Sequence, residues 1–202
     1  AIGFDLYMEL LQESLSDIQG QNIPVVDETQ IDLQVNAFIP ADWIVNNDDK
    51  ISAYRLATEC DSEEQLIELA ATWCDKYGQL PKSVESLIEI MKLKLLAKKC
   101  GFTRVKQEKN NLIMETKMEE AGFKMIQKGL PEHLQPRFIY QDNDKHSHVL
   151  ARGLGVLSAE KKIEQLIFCL RYMYERVPNS EGFSIYDKKI KNQERNTEVV
   201  KI

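Results

Sequence analysis

Residues 81–118 read PKSVESLIEIMKLKLLAKKCGFTRVKQEKNNLIMETKM, and the hydrophobic period changes within this stretch. Up to Gly101 apolar residues recur at helical spacing, which predicts one long helix with Pro81 at its first position. The residues that this helix would bury are Val84, Leu87, Ile88, Met91 and Leu95. From Phe102 onward apolar and polar residues alternate. This predicts a hairpin that turns at Asn110 and Asn111, because asparagine tolerates positive φ.

The segments on either side extend this pattern to a whole domain. The predicted elements are, in order, a strand at 31–40, helices at 48–60 and 62–78, the long helix and hairpin of 81–118, a short helix or irregular segment at 119–133, strands at 137–142 and 148–153, and a helix from Ser158. Helices and strands that occur in separate runs are typical of the α+β class. The sequence therefore predicts a two-layer α+β domain, in which a small mixed or antiparallel sheet packs against helices.

A long amphipathic helix is predicted before this domain, ending at Gly20. Its apolar face is wide and comprises Phe4, Tyr7, Met8, Leu11, Leu15 and Ile18. Either the helix packs on its own domain, or its natural partner lies upstream in a longer protein. At the other end, the residues from Pro178 onward are polar and aperiodic, which predicts a mostly disordered tail.

The overall composition excludes some classes of protein. The chain has 202 residues and a formal net charge of −6, which disfavours a general nucleic-acid binder because a phosphate backbone attracts an excess of Lys and Arg. No apolar run approaches a membrane span, and the first residues lack the features of a signal peptide. The four scattered cysteines are typical of thiols in a reducing compartment. We therefore expect a cytoplasmic protein.

Two motifs suggest ligand sites, but simpler interpretations account for them. GLGVLSAEKK (153–162) joins a strand to a helix, and its glycines could hold a phosphate at the helix N-terminus. A tight turn followed by a serine cap explains the same residues, because no complete nucleotide-binding motif is present. His146 and His148 would share one face of a strand, but two imidazoles do not complete a metal site. We therefore expect no metal ion or cofactor in this chain.

The basic residues cluster in one part of the sequence, at 92–109. They are Lys92, Lys94, Lys98, Lys99, Arg104, Lys106 and Lys109. A solvated face explains such a cluster, and a weak contact with nucleic acid or an acidic partner is the alternative. No nucleophile–base spacing accompanies the cluster or occurs elsewhere, so nothing in the sequence predicts an enzyme.

The helix at 62–78 has a polar face that suggests docking. Ser62 and Gln65 form a capping box at its start, and its apolar residues are Leu66, Leu69, Ala70, Trp73 and Tyr77. Opposite them lie Glu68, Thr72, Asp75 and Lys76. Such a face can be simply solvated, but a mixture of charged and short polar groups is also common where charge pairs set the register of a docked partner.

Several segments resemble one family, the bacterial transcription-repair coupling factors. GFDLYMELLQESL (3–15) is similar to the residues that follow the translocation motif of the family's motor module. IDLQVNAFIPADWIVNNDDKISAYRLA (31–57) resembles the start of the family's C-terminal domain. CDKYGQLPKSVESLIEIMKLKLLAKKCGFTRV (74–105) resembles its Asp-Arg-Phe-Gly-x-Leu-Pro turn, long helix and following strand. The resemblance covers about 1–175.

The resemblance implies a division of the chain into three parts. Residues 1–25 would be the helix and linker at the end of the translocase module, 26–177 the C-terminal regulatory domain, and 178–202 the tail. The parent protein would be an ATP-hydrolysing translocase on double-stranded DNA, with ATP and Mg²⁺ bound upstream of this chain. It would displace stalled RNA polymerase and recruit UvrA for nucleotide excision repair.

The resemblance also implies a role for the polar face of the 62–78 helix. In the family, the C-terminal domain docks on the N-terminal module that binds UvrA and covers that site until the motor engages. The docking helix ends in Asp-Arg-Phe-Gly and has an acid three residues before the Asp. Asp75 matches this pattern, whereas Lys76 keeps the charge without the guanidinium fork and Thr72 lacks the acid. Either the contact is weaker here, or Glu68 substitutes for the missing acid.

Overall fold

The computed structural model describes residues 22–143 and 146–178. Its strands are β1 (Gln30–Asp32), β2 (Phe102–Glu108), β3 (Asn111–Thr116), β4 (Phe138–Asn143) and β5 (His146–Ala151). Its helices are α1 (Asn47–Glu59), α2 (Glu63–Tyr77), α3 (Lys82–Lys99), α4 (Glu120–Gln127) and α5 (Ala159–Tyr174), and single 3₁₀ turns lie at Gln135–Arg137 and Leu154–Val156. The predicted first helix, and the predicted tail apart from Pro178, lie outside the described residues.

The strands form one mixed sheet in the order β1-β2-β3-β5-β4. β1 runs parallel to β2, and the other neighbours are antiparallel. Phe102, Val105 and Met114 are fully buried under the helices. The α+β prediction, with a small mixed sheet packed against helices, is confirmed.

The strand predicted at 31–40 is mostly wrong. Only Gln30–Asp32 pair with β2, and the chain from Leu33 then leaves the sheet toward the helices. There the backbone N–H of Phe38 donates to the Ser83 carbonyl at 3.2 Å, and that of Ile39 donates to the Tyr54 hydroxyl at 2.8 Å. The alternation of apolar residues reports half-burial, but strand pairing depends on a distant partner that the local sequence does not show.

The β2–β3 hairpin is confirmed, but its turn lies one residue earlier than predicted. Glu108 pairs with Asn111, so Lys109 and Asn110 form the turn. Lys109 has the positive φ, at 53°, that was expected of an asparagine. The carbonyl of Asn110 accepts from the Gly155 N–H at 2.9 Å, so Asn110 is engaged with the loop before α5.

α3 connects two hydrophobic clusters. Its first half contributes Val84, Leu87 and Ile88 to a small cluster with α1 and α2. Its second half contributes Leu93, Leu96 and Ala97 to a larger cluster formed with the sheet, α4 and α5. Pro81 lies just before this helix as its cap residue, and its carbonyl accepts from Val84 and Glu85. The helix bearing the candidate docking residues is therefore attached to the sheet through α3.

Candidate docking surface

Local signals fix where α2 begins and ends. The Ser62 hydroxyl accepts from the Gln65 N–H at 3.2 Å, as in a capping box. The Gln65 side chain accepts from the Asp61 N–H, one residue before the position that the motif predicts. The helix ends at Gly78, whose φ of 90° disfavours any residue with a side chain.

One side of α2 is buried and the rest faces outward. Leu66 and Trp73 are buried, and the ring of Trp73 meets that of Trp43 edge-on at 6.4 Å. Leu69, Ala70 and Tyr77 are half-buried beside them. Because two buried positions seven residues apart define a narrow stripe, most of the remaining circumference of α2 is exposed.

All four predicted docking residues lie on that exposed part of α2. Glu68, Thr72 and Asp75 point away from the buried stripe. The Thr72 hydroxyl donates to the Glu68 carbonyl at 2.9 Å, so it is engaged with its own helix. Neither Glu68 nor Asp75 makes an ion pair with a residue in the described part of the chain. Both carboxylates can therefore pair with another molecule.

Lys76 stands apart from the other three. Its ammonium lies 5.0 Å from the centre of the Tyr77 ring. The neighbouring Tyr77 side chain, and then the negative charge of Asp49 on α1, raise the pKa of Lys76. The side chain therefore sits at the edge of the surface, toward α1, where it is partly engaged within the domain.

The exposed surface of α2 also contains a residue that the sequence reasoning missed. The Ile67 side chain is 57% exposed, and helical spacing places it next to Glu64 and Ala71. The helical spacing contains a signal for this exposure, because it places Ile67 outside the stripe formed by Leu66, Leu69 and Trp73. We define the docking surface by six exposed residues, which are Glu64, Ile67, Glu68, Ala71, Thr72 and Asp75. It presents three carboxylates around an apolar centre of one isoleucine and one alanine.

Comparison with known proteins finds similarity to one family. The sequence model of the TRCF domain matches residues 33–125, which include α1, α2, α3 and the β2–β3 hairpin. Residues 33–125, a little under half of the chain, are therefore similar to the TRCF domain family. The matched range contains every residue of the docking surface.

Individual relatives show a similarity of the same kind. The chain is 31% identical over 110 residues to the transcription-repair-coupling factor of Staphylococcus haemolyticus (strain JCSC1435), a match that covers 54% of this chain and 9% of that protein. It is 29% identical over 109 residues to the protein of the same name from Staphylococcus aureus (strain USA300), which covers 53% of this chain and 9% of that protein. The chain thus corresponds to a small part of each relative.

A solved structure extends the likeness beyond the matched range. The crystal structure of the C-terminal domain of transcription-repair coupling factor superposes with a TM-score of 0.58, covering 72% of this chain and 91% of that one. At 17% sequence identity this similarity shows the fold.

The structure divides the basic residues of 92–109 between two places. Lys92, Lys94, Lys98 and Lys99 are on α3, which packs on one face of the sheet. Arg104 and Lys106 alternate with buried Val105 on β2, so they lie on the opposite face. Residues 92–109 therefore do not form a single basic face.

Most of these positive charges are also paired. Lys92 contacts Glu89 at 2.7 Å, Lys94 contacts Glu28 at 3.5 Å, and Arg104 contacts Asp32 at 2.5 Å. Lys106 pairs with Glu115 at 2.9 Å and Glu108 at 3.4 Å, and the hydrogen bond to Glu115 is the main cause of its raised pKa. Charges that are neutralised within the domain attract a phosphate backbone less.

The glycine-containing loop before α5 has a structural explanation. Gly153 has a φ of 74°, and a Cβ at Gly155 would collide with the backbone of Asn110 and Asn111. Ser158 caps α5 by accepting from the Lys161 N–H. The two glycines therefore allow the loop to turn and to pack closely against the β2–β3 turn.

Side chains that bind metals or act as nucleophiles do not converge in the described part of the chain. His148 contacts the Gln141 side chain at 2.9 Å, and His146 is exposed. No group of three or more possible metal ligands occurs among residues 22–143 and 146–178. Burial raises the pKa of the Cys169 thiol to about 11, and burial also raises that of Cys100. Within the described segments, no helix combines the length and apolar character of a membrane span.

Proposed function

We propose that this chain is the C-terminal regulatory region of a transcription-repair coupling factor, and that its α2 surface docks on the UvrA-recruiting N-terminal module of the same protein. The single observation that carries the proposal is the position of the docking surface. Its exposed carboxylates and isoleucine lie within the segment that matches the TRCF domain. Elsewhere on the domain, surface charges are frequently paired with each other.

Docking would act as autoinhibition. In the closed state the domain covers the UvrA-recruitment site, and in the open state UvrA has access to it. RNA polymerase and double-stranded DNA, bound by the parent protein, would favour the open state through their own affinity for it. The domain itself performs no chemistry in this proposal, and ATP hydrolysis belongs to modules that precede it.

The charges on α2 indicate what kind of partner would fit. Glu64, Glu68 and Asp75 require Lys or Arg across the interface, and Ile67 requires an apolar contact at its centre. Their contribution depends on burial in the complex. A desolvated charge pair is worth a few kcal/mol, on the order of 2–5, whereas a pair on the rim is worth less than about 1 kcal/mol.

The decisive experiment is to titrate this chain into the purified UvrA-binding module and then to add UvrA. Competition between the chain and UvrA is the expected result, because both would occupy the same site. Weak binding in trans is itself compatible with a tethered contact, so a covalently linked fusion of the two parts is measured as well. If UvrA binds the fusion as tightly as the free module, the docking proposal is contradicted.

A double variant tests the end of α2, where Asp75 belongs to the docking surface and Lys76 lies at its edge. Asp75→Ala with Lys76→Ala is expected to leave the melting temperature nearly unchanged, because both side chains are exposed, and to weaken docking. Calorimetry and thermal melting measure the two effects. The matched control is Glu120→Ala with Lys124→Ala, an exposed ion pair on α4 at 2.8 Å, which should change neither. A large loss of stability in the first variant would instead assign these residues a structural role.

A further inference from the structure

We infer that residues 22–32, here called the strap, form a releasable connection that detaches from the domain without unfolding it. The strap is the first described segment and begins ahead of the TRCF match. Apart from the three residues of β1, it has no regular secondary structure. The inference goes beyond the docking proposal and does not depend on it, because it concerns only contacts within this chain.

The strap is held at a few separate points. Val26 and Thr29 are buried, and Ile23 and Ile31 pack against the edge of the larger cluster. Between these points the chain is open to solvent, and the Val25 side chain is 95% exposed. A segment with four separated anchors buries little apolar surface per residue, and burial is the main source of local stability.

Open clefts flank the strap at the surface of the domain. A cleft of about 400 Å³ lies between Asp27–Thr29, the end of α1 and α3. A second, of about 570 Å³, lies between Glu28–Asp32 and α3, and a third, of about 420 Å³, lies beside Asn22–Val26. Because these clefts are open to solvent, the strap contacts protein on fewer sides than a core strand does.

Besides the backbone pairing of β1 with β2, the strap makes one buried side-chain hydrogen bond and two partly exposed ion pairs to the rest of the domain. The Thr29 hydroxyl donates to the Phe102 carbonyl at 2.7 Å, and Thr29 is completely buried. The ion pairs Glu28–Lys94 and Asp32–Arg104 involve partly or largely exposed side chains and are therefore screened by water. Among these side-chain contacts, that of Thr29 is the one that is completely buried.

Release of the strap would leave the rest of the sheet intact. β1 is an edge strand with three paired positions, and β2 keeps its full pairing with β3 when β1 leaves. Eleven residues freed from the surface would extend by about 35 Å. The strap therefore sets how far the domain can move from the chain that precedes it.

Thiol labelling under native conditions tests this inference in the full 202-residue chain. Val26→Cys places a thiol at a buried anchor, and mass spectrometry follows it alongside exposed Cys74 and buried Cys169. We expect the introduced thiol to react more slowly than Cys74 and more than about tenfold faster than Cys169. Its rate should depend little on low concentrations of urea, whereas that of Cys169 should rise steeply, because local opening exposes little surface. Ile23→Cys provides a second probe.

Two buried threonines supply the matched variants. Thr29 and Thr116 each donate to a backbone carbonyl at 2.7 Å, of Phe102 and Gly101 respectively, but only Thr29 belongs to the strap. In the Val26→Cys variant, Thr29→Val should increase the labelling rate at position 26 about tenfold and leave the labelling rate of Cys169 unchanged. Thr116→Val should speed Cys169 as well, because it weakens the sheet.

Three outcomes would overturn the inference. Labelling at position 26 with the urea dependence of Cys169 would show that the strap opens only when the whole domain unfolds. Labelling as fast as Cys74 would show that the strap is not held at all. An equal effect of Thr29→Val on both thiols would show that Thr29 supports the whole domain rather than the strap.

Discussion

At the scale of single residues, adjacent positions on α2 have opposite roles. Leu66 is 1% exposed and belongs to the buried side, whereas Ile67, the next residue, is 57% exposed. A rotation of about 100° per residue moves a side chain from the core to solvent. Hydrophobicity alone does not separate the two residues, but their positions relative to Trp73 do.

This contrast gives a prediction for a pair of substitutions. Leu66→Ala should lower the free energy of unfolding by about 2–5 kcal/mol, because it leaves a cavity. Ile67→Ala should change it by less than about 0.5 kcal/mol, because the side chain is mostly in water. Urea denaturation measures both. If docking occurs as proposed, Ile67→Ala also weakens it, by about tenfold in Kd.

Equal losses of stability in the two variants would contradict the assignment of Ile67 to the docking surface.

The residues of α2 also show what the sequence can and cannot predict. The hydrophobic period predicts that Leu66 and Trp73 face the core. It does not reveal that Lys76 is turned toward Tyr77 and Asp49, because Asp49 approaches from another helix.

At the scale of elements, helix boundaries were predictable and strand pairing was less so. Ser62, Gly78 and Ser158 mark helix ends through bonds to residues within four positions, so the local sequence contains the whole signal. The length of β1 depends on β2, some seventy residues later, so the local sequence predicts a strand at 31–40 although only Gln30–Asp32 pair.

One contact between elements predicts a pH effect. Glu63 on α2 pairs with Arg171 on α5, and hydrogen bonds from that guanidinium hold the pKa of Glu63 below its ordinary value. A carboxyl with a lowered folded pKa stabilises the fold above its unfolded pKa, and this contribution is lost as the pH falls through the folded pKa. Glu63→Gln should therefore cost about 0.5–1 kcal/mol near neutral pH and nothing well below about pH 4.

Thermal melting of the wild type and Glu63→Gln between about pH 3 and 7 checks this convergence. Glu64→Gln is the control, since Glu64 is exposed and makes no ion pair in the described part of the chain. A constant difference between the wild type and Glu63→Gln across the whole pH range would mean that the variant acts through packing rather than through charge.

At the scale of the whole molecule, charge distribution predicts a negative result with nucleic acid. The net charge is −6, and the basic residues of 92–109 are split between two faces of the sheet and largely paired. A labelled DNA duplex should therefore show no shift with this chain at low salt, where charge-driven binding is strongest. Binding that weakens steeply as salt is added would contradict this expectation and favour a nucleic-acid-binding module.

The 18-residue helix α3 limits where the domain can be cut into separate folding parts. The helix completes the small cluster under α2 with one half and the larger cluster under the sheet with the other. Neither cluster can be transferred alone, because a cut that keeps α3 with one cluster removes the α3 side chains from the other. A chimaera that exchanges the docking helix between relatives must therefore exchange both clusters together as one unit.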